Sequence, residues 1–227
     1  MKKKSIIIVS FVVLILILDQ LLKFWVKTNM YLGEEINLIG TWFKLHFIEN
    51  DGMAFGMVFF GGHWGKLILS IFRIVASVFI GWIIYKMIRK HVSWGLLITM
   101  ALVFTGAVGN IFDCIFYGKI FSASEYHAGI ATLFPDGNTY APFLQGKVVD
   151  MIQFDLFTIQ FPDWLPMLGN SSFNFFPAVF NIADSCITIG LFTMIICYYK
   201  SLSAFVASFE TSKKGTKVKL SEEERKE

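Results

Sequence analysis

Residues 94–116, WGLLITMALVFTGAVGNIFDCIF, are one of the apolar stretches that decide the fold of this chain. The others are residues 5–26, 67–85 and 178–199. Each is close to the roughly 20 residues with which a helix crosses about 30 Å of hydrocarbon. The chain is 55% hydrophobic, with a mean hydropathy of +0.60, whereas soluble domains are about 45–50% apolar. Buried soluble helices are disfavoured, because too little polar sequence remains to cover them. We therefore predict an all-α integral membrane fold, a bundle of four transmembrane helices.

The placement of lysine and arginine predicts the orientation of this bundle. Basic residues precede the first stretch, link the second to the third, and follow the fourth: Lys2–Lys4; Lys86, Arg89 and Lys90; Lys213, Lys214, Lys217 and Lys219. By the positive-inside rule both termini are cytoplasmic, and loops 27–66 and 117–177 face outward. A cleaved signal peptide is an alternative for the first stretch, which is longer than the usual apolar region of about 7–15 residues. The net charge of +3 follows from this bias, and we expect no nucleic-acid partner.

The two outward loops predict a cap over the bundle. Residues 42–48 alternate in polarity as a strand does and end at the turn Glu49-Asn50-Asp51-Gly52. The second loop is long and rich in Phe, Gly, Asn and Pro, and long ordered loops are often functional. We predict a small extracytoplasmic β-sheet with a loop cap within one membrane domain, residues 1–205. Residues 206–227 form a charged cytoplasmic tail.

Polar residues lie inside or at the ends of the apolar stretches, where charge is expensive. They are Asp19 and Lys23, Asn110 and Asp113, and Asn181 and Asp184. The first pair is spaced i, i+4 and the other two i, i+3, so each pair shares a helical face. Asp19 and Lys23 are explained equally well by a structural salt bridge, and Asn110 by hydrogen bonding between helices. Their common position near the outer ends of three stretches favours one shared site.

Asp150 and Asp184 are the candidates for acid–base catalysis. Asp150 ends the long second loop, and Asp184 lies at the start of the fourth apolar stretch. Two neighbouring carboxylates share a proton, which suits them to activate water. The structural alternative is that one caps a helix while the other is solvated at the interface. Asp113 is a rival member of the pair, because it too is an intramembrane acid.

Metal and disulfide chemistry have little support in the sequence. Cys114, Cys186 and Cys197 form no CxxC pair, and the four histidines form no HExxH motif. We expect the cysteines to be small packing residues. We therefore predict no metal and no cofactor.

Five segments in chain order resemble the motifs of the lipoprotein signal peptidases, the type II signal peptidases of bacterial membranes. They are Asp19-Gln20-Leu21-Leu22-Lys23 (D-Q-x-x-K), Asn50-Asp51-Gly52-Met53-Ala54-Phe55-Gly56 (N-x-G-x-A-[FW]-G), Gly109-Asn110-Ile111-Phe112-Asp113 (G-N-x-x-D-R), Val148-Val149-Asp150 (V-V-D-F) and Phe180-Asn181-Ile182-Ala183-Asp184-Ser185 (F-N-x-A-D-[SA]). The resemblance covers about residues 5–200. Each motif alone is weak, but five in this order on a four-span chain are specific.

The resemblance implies an aspartic endopeptidase with Asp150 and Asp184 as its catalytic dyad. It implies that the substrate is a prolipoprotein whose cysteine carries diacylglycerol, and that cleavage falls just before that cysteine. The substrate-binding or supporting residues it implies are Asp19, Lys23, Asn50, Gly52, Ala54, Asn110, Asp113 and Asn181. We expect a monomer in contact with lipid in the bacterial inner membrane, with the active site near the outer face.

The chain departs from the family pattern at Cys114, where the family usually has Arg, and at Met151, where it has Phe. A role for that guanidinium cannot be carried over to Cys114. The loops on both sides of Asp150 are also longer than the family suggests. Two other classes remain: a proton-coupled transporter, which would predict inverted repeats, and a non-catalytic membrane chaperone or scaffold, in which Asp150 and Asp184 would be dispensable.

Overall fold

Long helices and a small sheet make up the fold in a computed structural model, which describes residues 2–51, 63–127, 129–137, 139–164 and 171–209. The helices are α1 (Lys2–Asn29), α2 (His63–Arg89), α3 (Trp94–Phe112), α4 (Gly118–Ile120), α5 (Ile182–Cys197) and α6 (Tyr199–Phe209), with a π-helix at Asp113–Tyr117 between α3 and α4. The strands are β1 (Glu35–Ile39), β2 (Phe43–Asn50), β3 (Val148–Phe154), β4 (Phe157–Gln160), β5 (Ser172–Phe175) and β6 (Val179–Phe180).

Three helical segments are long and apolar enough to cross a membrane: Lys2–Asn29, Trp64–Arg89 and Trp94–Ile120. A fourth crossing exists only if α5 and α6, which meet at 86°, count as one span. The predicted apolar stretches therefore become helices, but a count of four spans is not confirmed. The all-α class is wrong as a label, because β-sheets are present. The fourth predicted stretch also begins too early: residues 179–180 are strand β6, and the helix begins at Ile182.

Helix α3 is the centre of the bundle, because small residues let its neighbours approach closely. A Cβ atom on Gly106 would lie 2.2 Å from the backbone oxygen of Ala183 at the start of α5. A Cβ on Gly190 of α5 would lie 2.8 Å from the backbone oxygen of Thr99 in α3. The apolar core here includes Leu96 and Leu97, both fully buried. This contact brings the start of α5 against the end of α3, which the site requires.

The larger sheet is antiparallel, with strand order β1-β2-β3-β6. Strand β2 coincides closely with the predicted strand 42–48. In the β2–β3 pair Ile48 lies opposite Asp150 and Asn50 opposite Val148, after a register shift between Leu45 and Ile48. Strand β3 is thus interior to the sheet, and its neighbour β2 ends beside the candidate carboxylate.

A second apolar core fixes the sheet to the ends of α1 and α3. Val26 of α1, Phe47 of β2 and Val149 of β3 are fully buried in it, together with Tyr117 of the π-helix. The two sides of strand β3 therefore have different tasks: one packs into this core, while Asp150 faces the polar site. Residues 206–209 of the predicted tail are helical, and the remainder of that tail lies outside the described residues.

Candidate active site

Asp150 is held within the sheet rather than solvated. It is the third residue of β3, and only 3% of it is exposed. Its Oδ2 accepts a hydrogen bond from Asn50 Nδ2 at 3.2 Å, and its Oδ1 accepts one from Asn181 Nδ2 at 2.7 Å. Strand pairing explains the first contact, because Asn50 ends the neighbouring strand. The alternative that Asp150 is a solvated interfacial carboxylate does not fit this burial.

Asp184 lies in the first turn of α5. Its backbone N–H donates to Asn181 Oδ1 at 2.8 Å, and its Oδ2 accepts from the backbone N–H of Asn181 at 3.4 Å, which completes a capping box. Its Oδ1 accepts from Asn110 Nδ2 at 2.7 Å. The helix-capping alternative is therefore correct for Asp184, and capping leaves one carboxylate oxygen for the amide of α3.

The side chain of Asn181 contacts both Asp150 and Asp184. Its Nδ2 group lies 2.7 Å from Asp150 Oδ1, 3.1 Å from Asn110 Oδ1 and 3.3 Å from the backbone oxygen of Val149, while its Oδ1 caps Asp184. The residue is fully buried. Because one amide orients groups from β3, α3 and α5, the relative position of both carboxylates depends on it.

The surroundings of Asp150 favour its protonated form. Burial is the main cause, and the negative charge of Asp184 adds to it, so that together they raise the pKa of Asp150 to about 7. Donors from Asn50 and Asn181 and the positive charge of Lys23 act in the opposite direction. A carboxyl with a pKa near neutral can both hold and release a proton at physiological pH.

Lys23 is buried beside this pair and satisfied by three acceptors. Its Nζ lies 3.0 Å from Asp19 Oδ2, 2.8 Å from Asp113 Oδ2 and 3.0 Å from Asn110 Oδ1. An ammonium has three donors, so all are used. The predicted Asp19–Lys23 pair is present. It lies at the floor of the site and is not an isolated salt bridge.

Asp19 and Asp113 each connect the floor of the site to a backbone N–H group. Asp19 Oδ1 accepts from the N–H of Ala183 at 3.0 Å, and Asp113 Oδ2 accepts from the N–H of Val149 at 3.2 Å. Asp113 is the rival for the dyad, and its recorded polar partners are Lys23, Gln20 and this N–H. Asp150 and Asp184, by contrast, share Asn181.

The α3 helix widens at this point into the π-helix Asp113–Tyr117. Such turns are uncommon and often occur at functional sites. The loop before β3 packs directly on it: Gly146 N–H donates to the Cys114 backbone oxygen at 2.8 Å, and a Cβ on Gly146 would lie 2.1 Å from the Asp113 backbone oxygen. Only a residue without a side chain allows this approach, which sets where β3, the strand of Asp150, begins.

Gln20 is a site residue that the sequence analysis did not select. Its Nε2 lies 3.1 Å from Asp19 Oδ2, 3.2 Å from the Gly109 backbone oxygen and 3.0 Å from Asp113 Oδ1, and its Oε1 accepts from Tyr117 O–H at 3.1 Å. Its place in the D-Q-x-x-K segment was a sufficient indication of this role.

A second buried ionic group was also missed. Glu49, which precedes Asn50, pairs with Lys27 of α1 and with Lys147, whose Nζ is 3.3 Å away. Ser124 Oγ donates to Glu49 at 3.0 Å. The spacing of Lys23 and Lys27, i, i+4, could have indicated a second basic residue on the same face. The group ties the long loop to the two strands that carry Asn50 and Asp150.

The structure therefore brings together most of the predicted site: Asp19, Lys23, Asn50, Asn110, Asp113, Asp150, Asn181 and Asp184. Gly52 and Ala54 lie outside the described residues. Among the residues that are described, no cluster of three or more His, Cys, Asp or Glu side chains has the arrangement of a metal site. At Cys114, Arg73 of α2 approaches with its Nη1 3.5 Å from the sulfur.

Comparison with known proteins gives one consistent result. The family described as "Signal peptidase (SPase) II" matches residues 11–200. The lipoprotein signal peptidase of Porphyromonas gingivalis is 44% identical over 211 residues, which are 92% of this chain and 90% of that protein. That of Amoebophilus asiaticus is 34% identical over 206 residues, covering 88% and 80% of the two chains.

Solved structures support the fold. A bacterial membrane enzyme solved by the in meso method at 2.3 Å resolution superposes with a TM-score of 0.54 at 23% identity, covering 87% of this chain and 90% of the other. A second, at 1.9 Å, gives a TM-score of 0.52 at the same identity, covering 83% and 90%. The match over nearly the whole chain, together with apolar helices long enough to span a bilayer, makes this a multi-pass membrane protein, and the chain belongs to the signal peptidase II family.

Proposed function

We propose that this chain is a membrane aspartic endopeptidase that removes the signal peptide from diacylglyceryl-modified prolipoproteins. Cleavage falls just before the lipidated cysteine, and Asp150 and Asp184 activate the attacking water. Its relatives in Porphyromonas gingivalis and Amoebophilus asiaticus are named lipoprotein signal peptidases, and the substrate is carried over from that name and from the family resemblance.

One observation carries the assignment of the dyad: the buried residue Asn181 contacts both carboxylates, that of Asp150 through its side-chain amide and that of Asp184 through its backbone N–H. The two carboxylates come from separate elements, β3 and α5. A proton can therefore pass from one to the other without disruption of the helix or the strand. Because burial and the charge of Asp184 raise the pKa of Asp150 to about 7, Asp150 is present in both its protonated and its ionised form near neutral pH. Such a pair has its acid and its base in one site.

The reaction needs no group beyond the dyad and water. The ionised carboxylate takes a proton from water as the water oxygen attacks the scissile carbonyl carbon, and the protonated carboxyl donates to the carbonyl oxygen. The tetrahedral diol then collapses: the C–N bond breaks, the nitrogen takes a proton from the dyad, and one diol hydroxyl returns its proton to the dyad. The new carboxyl group remains on the signal peptide. The free amine is that of the lipidated cysteine. The two carboxyls titrate as a pair, so the roles belong to the pair.

The remaining polar residues hold this pair in place. Asn50 donates to Asp150, and Asn110 donates to Asp184. Asp19, Lys23 and Asp113 form the floor of the site beneath them. Gly52 and Ala54 follow Asn50 in the sequence, and we assign them to the loop backbone that contacts the substrate.

The membrane setting is also part of the proposal. Helices α5 and α6 together act as a fourth span, both termini lie in the cytoplasm, and the site lies near the outer face of the bacterial inner membrane. The basic residues at the chain ends and between α2 and α3 support this orientation. Acyl chains of the substrate lie between helices while the peptide crosses the dyad. The enzyme works as a monomer in contact with lipid, with residues 1–205 as its membrane domain and 206–227 as a cytoplasmic tail.

The test is cleavage of a diacylglyceryl-modified prolipoprotein by the purified full chain, with the unlipidated form as the control substrate. Asp150→Asn and Asp184→Asn are compared with Asp113→Asn. We expect lipid-dependent cleavage by wild type, loss of cleavage in the two dyad variants, and weakened cleavage in Asp113→Asn, since Asp113 acts through Lys23 and the β3 backbone.

Three results would overturn the proposal. Absence of cleavage by folded wild type would remove the peptidase function and leave the transporter class in place. Cleavage that survives in Asp150→Asn but not in Asp113→Asn would move the dyad to Asp113 and Asp184. Full activity in all three variants would mean that neither acid pair performs the chemistry.

A further inference from the structure

The hairpin of β4 and β5 presents one apolar and one polar face. Phe157 lies opposite Phe175 and Ile159 opposite Phe173, while Thr158 pairs with Asn174 and Gln160 with Ser172. Side chains alternate between the faces of a strand, so the first two pairs share one face and the last two the other. The rings of Phe157 and Phe175 stack at 4.8 Å with 9° between their planes.

The apolar face is uncovered in the described part of the chain. Phe157, Ile159, Phe173 and Phe175 are each 45–51% exposed. An isolated two-stranded hairpin is marginally stable in water and needs a surface to pack against. The hairpin forms its own two-stranded sheet, separate from the larger one. Something outside these described residues therefore has to cover four large side chains.

The chemistry of the hairpin selects hydrocarbon over charged headgroups as the covering surface. Residues 156–162 and 171–180 contain no Lys, Arg or His, and the flanking charged residues are Asp155 and Asp163. Electrostatic attraction to anionic lipid depends on basic residues, so it cannot contribute here. Aromatic side chains, in contrast, concentrate where hydrocarbon meets the headgroups, and Trp164 beside the hairpin is 77% exposed.

The position of the hairpin places this face close to the bilayer. It leaves the sheet after Phe154 and returns at β6, and Phe180 of β6 is followed within two residues by α5. The ring of Phe154 lies 5.8 Å from that of Phe180 and 6.1 Å from that of Trp42. An aromatic rim thus runs from the sheet to the point where the chain enters an apolar helix. Ile39 of β1, which is exposed, lies opposite Phe43 at the same end of the sheet.

From this geometry we propose that the β4–β5 hairpin is a membrane-interface anchor. Its face of Phe157, Ile159, Phe173 and Phe175 inserts into the boundary between hydrocarbon and headgroups, in the leaflet on the side of the Asp150–Asp184 site. The opposite face, with Thr158, Gln160 and Asn174, stays in water. This anchor does not depend on the proposed peptidase activity.

The test compares neighbouring positions on opposite faces. Single variants Ile159→Cys and Phe173→Cys, and their matched controls Gln160→Cys and Asn174→Cys, are prepared in the full chain with its three native cysteines replaced. Each is labelled with a nitroxide and placed in bilayer nanodiscs of phosphatidylcholine alone. Electron paramagnetic resonance then measures collision with oxygen, which concentrates in hydrocarbon, and with a water-soluble nickel chelate. All four positions are exposed, so the labels need no rearrangement of a core.

We expect the ratio of oxygen to nickel accessibility to be several-fold higher at positions 159 and 173 than at 160 and 174, and unchanged by added salt. Equal ratios at all four positions would mean that the hairpin lies in water and would overturn the proposal. Low accessibility of 159 and 173 to both reagents would mean that protein covers the face. Shielding that develops only after a lipidated prolipoprotein is added would assign the face to substrate instead of the bilayer.

Discussion

Replacing Asn181 with alanine tests whether one amide sets both the position and the protonation of the candidate dyad. Asn181 donates to Asp150 Oδ1 at 2.7 Å, and this bond favours the ionised form of Asp150. Its loss therefore raises the Asp150 pKa further above about 7. In an aspartic dyad the singly protonated pair is active, so the alkaline limb of the pH–rate profile marks the loss of the shared proton.

The size of the effect follows from the bond. A hydrogen bond to a charged group contributes about 1.5–3 kcal/mol, and one pKa unit corresponds to about 1.36 kcal/mol. Asn50 still donates to Asp150 in the variant, which keeps the change at the lower end. We expect the alkaline limb to move up by about one pH unit. Loss of orientation lowers kcat/KM at every pH by about 10–100-fold, which corresponds to the same range of free energy.

The assay is cleavage of the lipidated prolipoprotein from pH 5 to 9 by Asn181→Ala and by Ser185→Ala. Ser185 is a matched control in the same helical turn, because its hydroxyl donates to the Asn181 backbone oxygen at 3.0 Å and has no recorded contact with either carboxylate. The control should keep the wild-type profile. Melting temperatures separate loss of the α5 cap, about 1 kcal/mol, from the pH effect. An alkaline limb of Asn181→Ala that stays in place would refute the reasoning.

Three predictions concern stability, measured as unfolding by SDS titration in mixed micelles. Because the folded pKa of Asp150 is about 7, above its ordinary value of 3.8, we expect wild type to lose stability as pH rises from about 4 to 7. The largest loss in the free energy of unfolding is about 4 kcal/mol. A similar dependence of stability on pH in Asp150→Asn would contradict this. Lys23→Met leaves two buried carboxylates uncompensated and should lower the free energy of unfolding by about 3–5 kcal/mol. The control Lys66→Met should lower it by at most about 1 kcal/mol, because the partner of Lys66 is exposed. Gly106→Ala places a Cβ 2.2 Å from the α5 backbone and should cost about 1–3 kcal/mol, whereas Gly81→Ala meets only a ring atom at 3.3 Å and should be near neutral.

The helices could be predicted because long apolar stretches have few other solutions in a bilayer. No comparable constraint acts on the sheet. Strand β2 alternates in polarity and was predicted, but β6 is two residues long and looked like the start of the fourth apolar stretch. Its pairing with β3 is a long-range contact, Ile152 with Phe180, which no local pattern encodes. The hairpin β4–β5 was missed for the same reason.

Most residues of the site could be predicted from the sequence. Their contacts with one another could be predicted only in part. Helical spacing placed Asp19 with Lys23 on one face, and this pair is present. It could not show that Lys23 also reaches Asp113 and Asn110 on α3, because that depends on how two helices pack. Nor could it show that Asp184 caps its helix while also meeting an amide from α3. Helix capping and a place in the site are not alternatives for Asp184, because the residue does both.

At Cys114, where the family motif has arginine, a neighbouring helix places a guanidinium group. The family motif usually has arginine at this position, and the role of its guanidinium cannot be carried over to a cysteine. The Nη1 atom of Arg73 in α2 lies 3.5 Å from the Cys114 sulfur. A guanidinium is always charged, and charges interact strongly where water is scarce. Positive charge therefore lies beside Cys114, the residue that follows Asp113, although it comes from α2, a helix that carries none of the five motifs.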